Sequence, residues 1–395
     1  MEFITTQTDA FGLLTFDVAD LQRRMRMLKN RPFLERLKLS GYKSIREAEL
    51  EFTKLNVLIG ANGAGKSNLV SFFSLLPAAL DEKLDAYVGR HGGPNALLYF
   101  AAQRTSEIAV AATVRTIKGT GILSQRLGFR APDTLYYGSH HSGAPYRAGE
   151  AFEMIINDVC ALVMKAGGGP PDETIYYGLK DGVATYHLVD TSLTSPIRTE
   201  GYVEDNKRLN SNGSNLAAVL FRYKRSNEEV YRRIRSTVRK IVPSFDDFVL
   251  EPRELNPRNI LLNWRQLGQD YLFGPHQLSD GALRAIALIT LFQQPEDELP
   301  NLIVVDEPEL GLHPHAMLII SGLMRAASSH TQVLLATQSP TFLDNFNPDE
   351  VIVAEEKEQA SHYRRVTPDE LREWLQEYSL GELWQKNVLG GGPMP

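Results

Sequence analysis

Several short segments of this chain are apolar at almost every position, among them residues 55–59, 302–305 and 332–336. Each is flanked by polar or turn-forming residues, and such runs read as buried strands. After the first, Leu69, Val70, Phe72, Phe73, Leu75 and Leu76 predict a helix buried on most sides. A second helix is expected over residues 315–327. Alternating apolar and polar positions at 108–114, 175–179 and 183–189 predict antiparallel strands. Lys180-Asp181-Gly182 would turn a hairpin between the last two. Over residues 215–241 the pattern becomes helical, with Val230, Ile234, Val238 and Ile241 on one face. An edge strand at 351–354 and a helix at 368–378 complete the reading.

Composition narrows the class. The chain has 395 residues, 43% hydrophobic and 23% charged, which suits a globular protein of one large or two smaller domains. No run approaches a membrane span, and the first residues lack the apolar core of a signal peptide. The single cysteine, Cys160, excludes an internal disulfide. A soluble, cytoplasmic protein without a membrane partner is expected. A net charge of −6 argues against general nucleic-acid affinity, although local basic segments can still bind phosphate.

The segment Gly60-Ala61-Asn62-Gly63-Ala64-Gly65-Lys66-Ser67 stands between the first buried strand and the first helix. It matches the phosphate-binding P-loop, or Walker A motif, at every fixed position. Its glycines let backbone N–H groups turn inward onto phosphate oxygens, and the following helix adds its positive dipole end. Lys66 would reach the β- and γ-phosphates, and Ser67 would offer a hydroxyl to Mg²⁺. Gly60, Asn62, Gly63, Ala64, Gly65, Lys66, Ser67 and Asn68 therefore form the predicted nucleotide cradle. The apolar strand at 302–305 ends in Asp306-Glu307-Pro308, the Walker B pattern. Asp306 would hold Mg²⁺, and Glu307 stands where a general base could polarise water.

Upstream of Walker B, Gln277-Leu278-Ser279-Asp280-Gly281 opens a helix, with Ser279 suited to the N-cap. Leu-Ser-x-Gly in this position resembles the signature motif of ABC-type ATPases. The wording from Asp306 to Pro314 and the Ala336-Thr337-Gln338-Ser339-Pro340 segment resembles the RecF, SMC and OLD branch of that family. The opening strand near residues 33–39, followed by Gly41-Tyr42-Lys43-Ser44-Ile45, resembles its first turn. Residues 380–384 and 387–391 resemble the tail of stand-alone bacterial predicted ATPases.

This resemblance implies an α/β fold: an ABC-type P-loop ATPase head with a mixed, largely parallel sheet, an antiparallel β-subdomain and a helical insertion. It implies ATP and Mg²⁺ as ligands. Ser279 and Gly281 would contact the γ-phosphate held by a second protomer. Gln338 stands at the switch position, usually histidine, where it can donate a hydrogen bond but not carry a proton. Catalysis would then rest on Glu307, with Lys66 and Gln338 assisting. His313 replaces the usual D-loop aspartate. His313 and His315 flank a proline and read as a loop feature, not a metal site. Lys43 is either a nucleotide contact or a surface lysine. Gln103 is the one candidate for the Q-loop glutamine, and Tyr42 a candidate for stacking on adenine.

The expected organisation is an N-terminal basic extension (1–32), a Walker A and β-subdomain lobe (33–155), an inserted β/helical region (156–265) and a lobe with signature, Walker B, D-loop and switch (266–395). The extension is basic through Arg23, Arg24, Arg26, Lys29 and Arg31. The inserted region carries Arg222, Lys224, Arg225, Arg232, Arg233, Arg235, Arg239 and Lys240, either a solvated helix face or a surface for DNA or an acidic partner. After Gln338 no Asp-x-Asp pattern of a Toprim nuclease appears, and no sustained heptads of SMC coiled coils are present.

The resulting expectation is an ATP-hydrolysing head that forms a homodimer, or higher homo-oligomer, around ATP. It would switch a separate effector, such as a nuclease, in phage defence or genome maintenance. The alternative is a RecF-like DNA-binding repair factor. A transporter subunit fits poorly because the insertion is long and the switch histidine is missing. Leu-Ser-x-Gly argues against other P-loop motors and kinases.

Overall fold

The computed structural model describes residues 31–81, 83–130, 134–137, 151–156, 159–165 and 173–392. The basic extension expected over 1–32 lies outside these, apart from its last two residues.

Two large sheets organise the described residues, with a three-stranded and a two-stranded sheet beside them. The first is antiparallel and seven-stranded, from β1 (Phe33–Tyr42), β2 (Ile45–Glu51), β4 (Glu107–Thr116), β5 (Gly119–Arg130), β6 (Thr134–Tyr137), β7 (Ala151–Ile156) and β8 (Val159–Lys165). Its order is β2-β1-β4-β5-β8-β7, with β6 also on β5. The expected boundary at 155/156 falls inside the β7–β8 hairpin, where Ile155 faces Cys160.

The second sheet carries β3 (Leu55–Ile59), β9 (Val183–Tyr186), β10 (Leu302–Asp306), β11 (Gln332–Thr337), β12 (Val351–Lys357) and β13 (Ala360–Arg365). Its order is β13-β12-β3-β11-β10-β9. All pairs are parallel except β12–β13. Successive residues of these strands point into different cores. Val57, Ile59, Ile303, Val305, Val333 and Leu335 join one cluster, shared with the helices α3 (Leu216–Ser226), α4 (Glu228–Ile241), α5 (Asp280–Phe292) and α6 (Pro314–Ala327). Leu58, Leu302, Val304, Leu334 and Ala336 join the other, shared with α1 (Lys66–Ala79) and the antiparallel sheet. Burial on both faces is why these strands are apolar at consecutive positions.

Four expectations are corrected. Residues 175–179 are not a strand but part of α2 (Glu173–Lys180). Ile175, Tyr176 and Leu179 are buried at helical spacing, and the Tyr176 hydroxyl donates to the Leu80 carbonyl at 2.6 Å. Lys180-Asp181-Gly182 is therefore a helix exit, closed by Asp181 N–H on the Tyr177 carbonyl. The strand after it belongs to the parallel sheet, beside β10, with Val305 opposite Tyr186. Third, β12 is not an edge, because β13 lies outside it. Fourth, residues 368–378 break into a short helix (Pro368–Leu371) and a 3-10 turn (Trp374–Gln376). Leu371 alone is buried among 368–377, so no apolar face sustains a longer helix.

Candidate nucleotide site

The P-loop, Walker B and the switch lie at the carboxyl ends of three adjacent parallel strands, β3, β11 and β10, where open α/β sheets place their ligands. The P-loop backbone is tightly enclosed. A Cβ on Gly60 would lie 2.4 Å from the Ala354 carbonyl oxygen, and one on Gly65 2.0 Å from Ser361 Oγ. Gly63 and Gly65 also take positive φ of 84° and 98°, which only glycine adopts without strain. Lys66 is buried, its ammonium donating to the carbonyls of Gly60 (2.7 Å) and Ala61 (3.0 Å). Burial pulls its pKa down, and Glu307, Asp306 and Glu309 oppose that. Asn62, Gly63 and Ser67 are exposed at the loop mouth, while Ala64 is buried. Asn68 turns aside, its amide donating to Ser44 Oγ at 2.6 Å.

Opposite the loop, Asp306 is raised in pKa by burial, and His187 is the largest charge acting to lower it. Asp306 Oδ1 is a buried acceptor without a hydrogen-bond partner among the described residues. The exposed Ser67 hydroxyl lies within hydrogen-bonding reach of the same carboxylate. An orphaned carboxylate oxygen beside a hydroxyl suits a hard divalent cation or its water shell, so Ser67 and Asp306 fit Mg²⁺. Glu307 follows at φ 45°, a left-handed conformation costly for a non-glycine residue. Its backbone N–H donates to the Ala336 carbonyl at 2.8 Å. The Gln338 amide donates to Glu307 Oε1 at 2.6 Å, so the switch glutamine and the expected base are in direct contact.

Glu309 buttresses this pair from behind. It is only 7% exposed, and Oε1 accepts from the Thr337 hydroxyl at 2.5 Å and from Gln338 N–H at 3.4 Å. Burial raises its pKa, opposed first by the Thr337 hydrogen bond.

The signature turn is elsewhere. Ser279 caps α5, accepting from Ala282 N–H at 3.2 Å, and is exposed. Gly281 abuts the D-loop. Among the described residues no hydrogen bond joins this turn to the P-loop. Arg198, 3% exposed, holds the turn in place: it donates to the carbonyls of Thr191 (2.7 Å), Leu278 (3.1 Å) and Pro275, and to Asp280 Oδ1 at 2.6 Å. Arg284, one turn into α5, donates to the carbonyls of Leu188, Val189 and Leu310. It thus fastens the signature helix to the exit of β9 and to the D-loop.

Other candidates find different places. Tyr42 is fully buried, edge-on to Phe72, with its hydroxyl 2.9 Å from Ser71 Oγ, so it cannot stack on adenine. Lys43 also donates to Ser71 Oγ, at 2.9 Å. Gln103 is exposed on a short helix and makes no hydrogen bond to the P-loop among the described residues. His313 caps α6 through Nδ1, which accepts from His315 N–H, and no group of three metal-ligating side chains occurs among the described residues.

The basic segment is largely neutralised by its own fold. Arg222 pairs with Glu298, Lys224 with Asp247, Arg232 with Glu228, and Arg235 and Arg239 with Asp246. Arg233 donates to the Gln293 carbonyl.

Sequence reading missed His187, Glu309, Arg198 and Arg284. His187 follows the last β9 residue paired with β10, and so becomes visible only once β9 is known to run parallel to β10. Glu309 lies inside the Walker B wording itself. Arg198 carries no local signal.

Two family models match. One, described as "AAA domain, putative AbiEii toxin, Type IV TA system", covers residues 188–344, from the exit of β9 through the signature, Walker B and the switch. The other, a "Protein of unknown function (DUF2813)", covers residues 32–88, which hold the P-loop. No curated protein matches the sequence. Among solved structures, the Smc head domain with an extended coiled coil bound to the C-terminal domain of ScpA, from Pyrococcus furiosus, is 14% identical. That match covers 88% of this chain and 99% of the other at a TM-score of 0.59. An SmcHead bound to the C-winged helix domain of ScpA is 15% identical over 85% and 99% of the two chains, with a TM-score of 0.58. The Pyrococcus yayanosii Smc head with coiled coil and joint is 10% identical over 88% and 99%, with a TM-score of 0.56. At these identities the likeness is one of fold.

Proposed function

Taking as premise that the chain folds as an ABC-type P-loop ATPase head of the SMC and RecF branch, we propose that it binds Mg-ATP, hydrolyses it and dimerises around it. The observation that carries this reading is the separation within one chain. Walker A, Walker B and the switch converge on one another, while the signature serine is solvent-exposed and, among the described residues, makes no hydrogen bond to any of them. A second copy offering Ser279 and Gly281 would complete each site.

In this scheme Lys66 and the P-loop N–H groups hold the phosphates. Ser67 and Asp306 would hold Mg²⁺, which would supply neutralisation of phosphate charge. Glu307 accepts a proton from the attacking water, and Gln338, bonded to it, orients that carboxylate and reads the γ-phosphate. ATP bridging two protomers favours the dimer, and hydrolysis releases it. The association would govern a separate effector, such as a nuclease, in phage defence or genome maintenance. Smc heads bound to domains of ScpA are a precedent for another protein seated on such a head.

The test measures the solution mass of the Glu307→Gln protein by light scattering. The mass should double with Mg-ATP and stay that of a monomer when Ser279→Arg is added. A Ser279→Arg protein that still doubles in mass and turns over ATP at the normal rate would rule out the shared site.

A further inference from the structure

The segment from Leu380 to Gly392 ties together two parts of the nucleotide site that are far apart in sequence. At one end the helix Leu380–Gln385 packs on the residues that follow the switch. Gly381 N–H donates to Asp344 Oδ1 at 2.7 Å. A Cβ on Gly381 would meet the Pro340 carbonyl oxygen at 2.4 Å, so only glycine lets the two backbones approach this closely. Pro340 is two residues from Gln338. At the other end the glycine turn crosses β12 and reaches the P-loop, where the Gly391 carbonyl accepts from Ala61 N–H at 2.7 Å.

The local sequence is specialised for this path. Gly390 and Gly391 take φ of 73° and 64°. Cβ atoms there would lie 2.0 Å from Glu355 Oε1 and 2.6 Å from the Ala354 carbonyl oxygen. The turn is held from both sides: Asn387 Oδ1 accepts from Gly392 N–H at 2.9 Å, and Arg364 donates to the Leu389 carbonyl at 2.7 Å. The same Ala354 carbonyl faces Gly60 on the P-loop side. Three backbone segments are thus stacked, the P-loop entry, β12 and the glycine turn, with the Ala61–Gly391 bond joining the outer two.

We propose that residues 380–392 form a strap coupling the switch loop to the P-loop. Through it, the state of the switch sets how well the P-loop is preorganised for the triphosphate. An unstrapped P-loop leaves the Ala61 N–H without its acceptor and frees the loop entry, and binding must then supply the ordering that the strap supplies now. This proposal rests on the reading of the P-loop as a nucleotide site.

The experiment measures the Kd of a fluorescent ATP analogue for the full chain and for Gly391→Val, Asp344→Ala and the double variant. Hydrogen exchange of the peptide containing Ala61 is followed in parallel. Gly391→Val should raise Kd about tenfold or more and speed exchange at Ala61. Asp344→Ala acts at an exposed residue of the other anchor and should raise Kd about threefold, with no further effect in the Gly391→Val background, because a strap already detached transmits nothing. Additive losses in the double variant, or unchanged affinity with Ala61 exchange accelerated, would overturn the coupling. An unmodified protein that binds no nucleotide would instead overturn the reading beneath it. Should Gly391→Val fail to fold, the milder Gly391→Ala carries the same comparison.

Discussion

Gly281 of the signature turn and Gly311 of the D-loop are in backbone contact: a Cβ on Gly281 would lie 2.1 Å from the Gly311 carbonyl oxygen. Backbone cannot swing aside as a side-chain tip can. Gly281→Ala should therefore displace the D-loop, cost about 1–3 kcal/mol of stability, and reduce ATP turnover at least tenfold. Nucleotide affinity of the isolated protomer should change little, because among the described residues no hydrogen bond links this turn to the P-loop. Equal losses in affinity and turnover would show that the turn acts within its own chain.

Arg198 is the anchor of that turn. Arg198→Met would take the guanidinium away from the Thr191, Leu278 and Pro275 carbonyls and from Asp280, at a cost of about 2–4 kcal/mol. Thermal melts should show the loss, and ATP-dependent association should disappear. Arg198→Lys should recover only part of either, since an ammonium cannot supply the guanidinium's divergent donors.

Asp306 and Glu309 make stability depend on pH. Burial raises both carboxyls above their ordinary values, so the protonated forms suit the folded state. The favourable contribution is full below the ordinary carboxylate range, near pH 4, and is lost as pH rises through the raised values. Asp306→Asn removes one charge penalty. Its Tm should exceed that of the unmodified protein at pH 7, with the gap closing as pH falls towards about 4. Mg²⁺-dependent ATP binding should weaken in the same variant, an exchange of function for stability.

The basic helices give opposite expectations for neighbouring arginines. Arg235 is half-buried and bonded to Asp246 and Asp247, so Arg235→Glu should lower Tm clearly. Arg225 and Lys240 make no ion pair among the described residues, and reversing both should leave Tm nearly unchanged. Duplex-DNA binding to Glu307→Gln with Mg-ATP should also be indifferent to that reversal. A tenfold loss would instead favour the RecF-like alternative and locate its DNA surface.

The parallel strands, the P-loop and the Ser279 cap were legible because each is dictated locally: by two-sided burial, by glycines at fixed spacing, by an N-cap before an apolar helix. What escaped was set by partners distant in sequence. Residues 183–186 look the same whether they face an antiparallel neighbour or lie parallel to β10, and only the position of Leu302–Val305 decides. The five residues from Ile175 are too few for periodicity to separate strand from helix. Tyr42 looked available to a base until Phe72 and Ser71 were brought against it. The basic face lost its meaning once Asp246, Asp247 and Glu298 arrived opposite it.

The strand that feeds the P-loop, β3, has both neighbours far along the chain: Leu55 aligns with Val333 and Val57 with Val351. Gln332 repeats the arrangement, donating to the Leu34 carbonyl across 298 residues of sequence. During synthesis the P-loop must therefore leave the ribosome with neither flanking strand in existence, its apolar run exposed while the intervening chain is made. A competent nucleotide site cannot appear gradually on a nascent chain. It is completed only after Val351 has been made, so a bound nucleotide would stabilise the finished fold and could not guide its early folding.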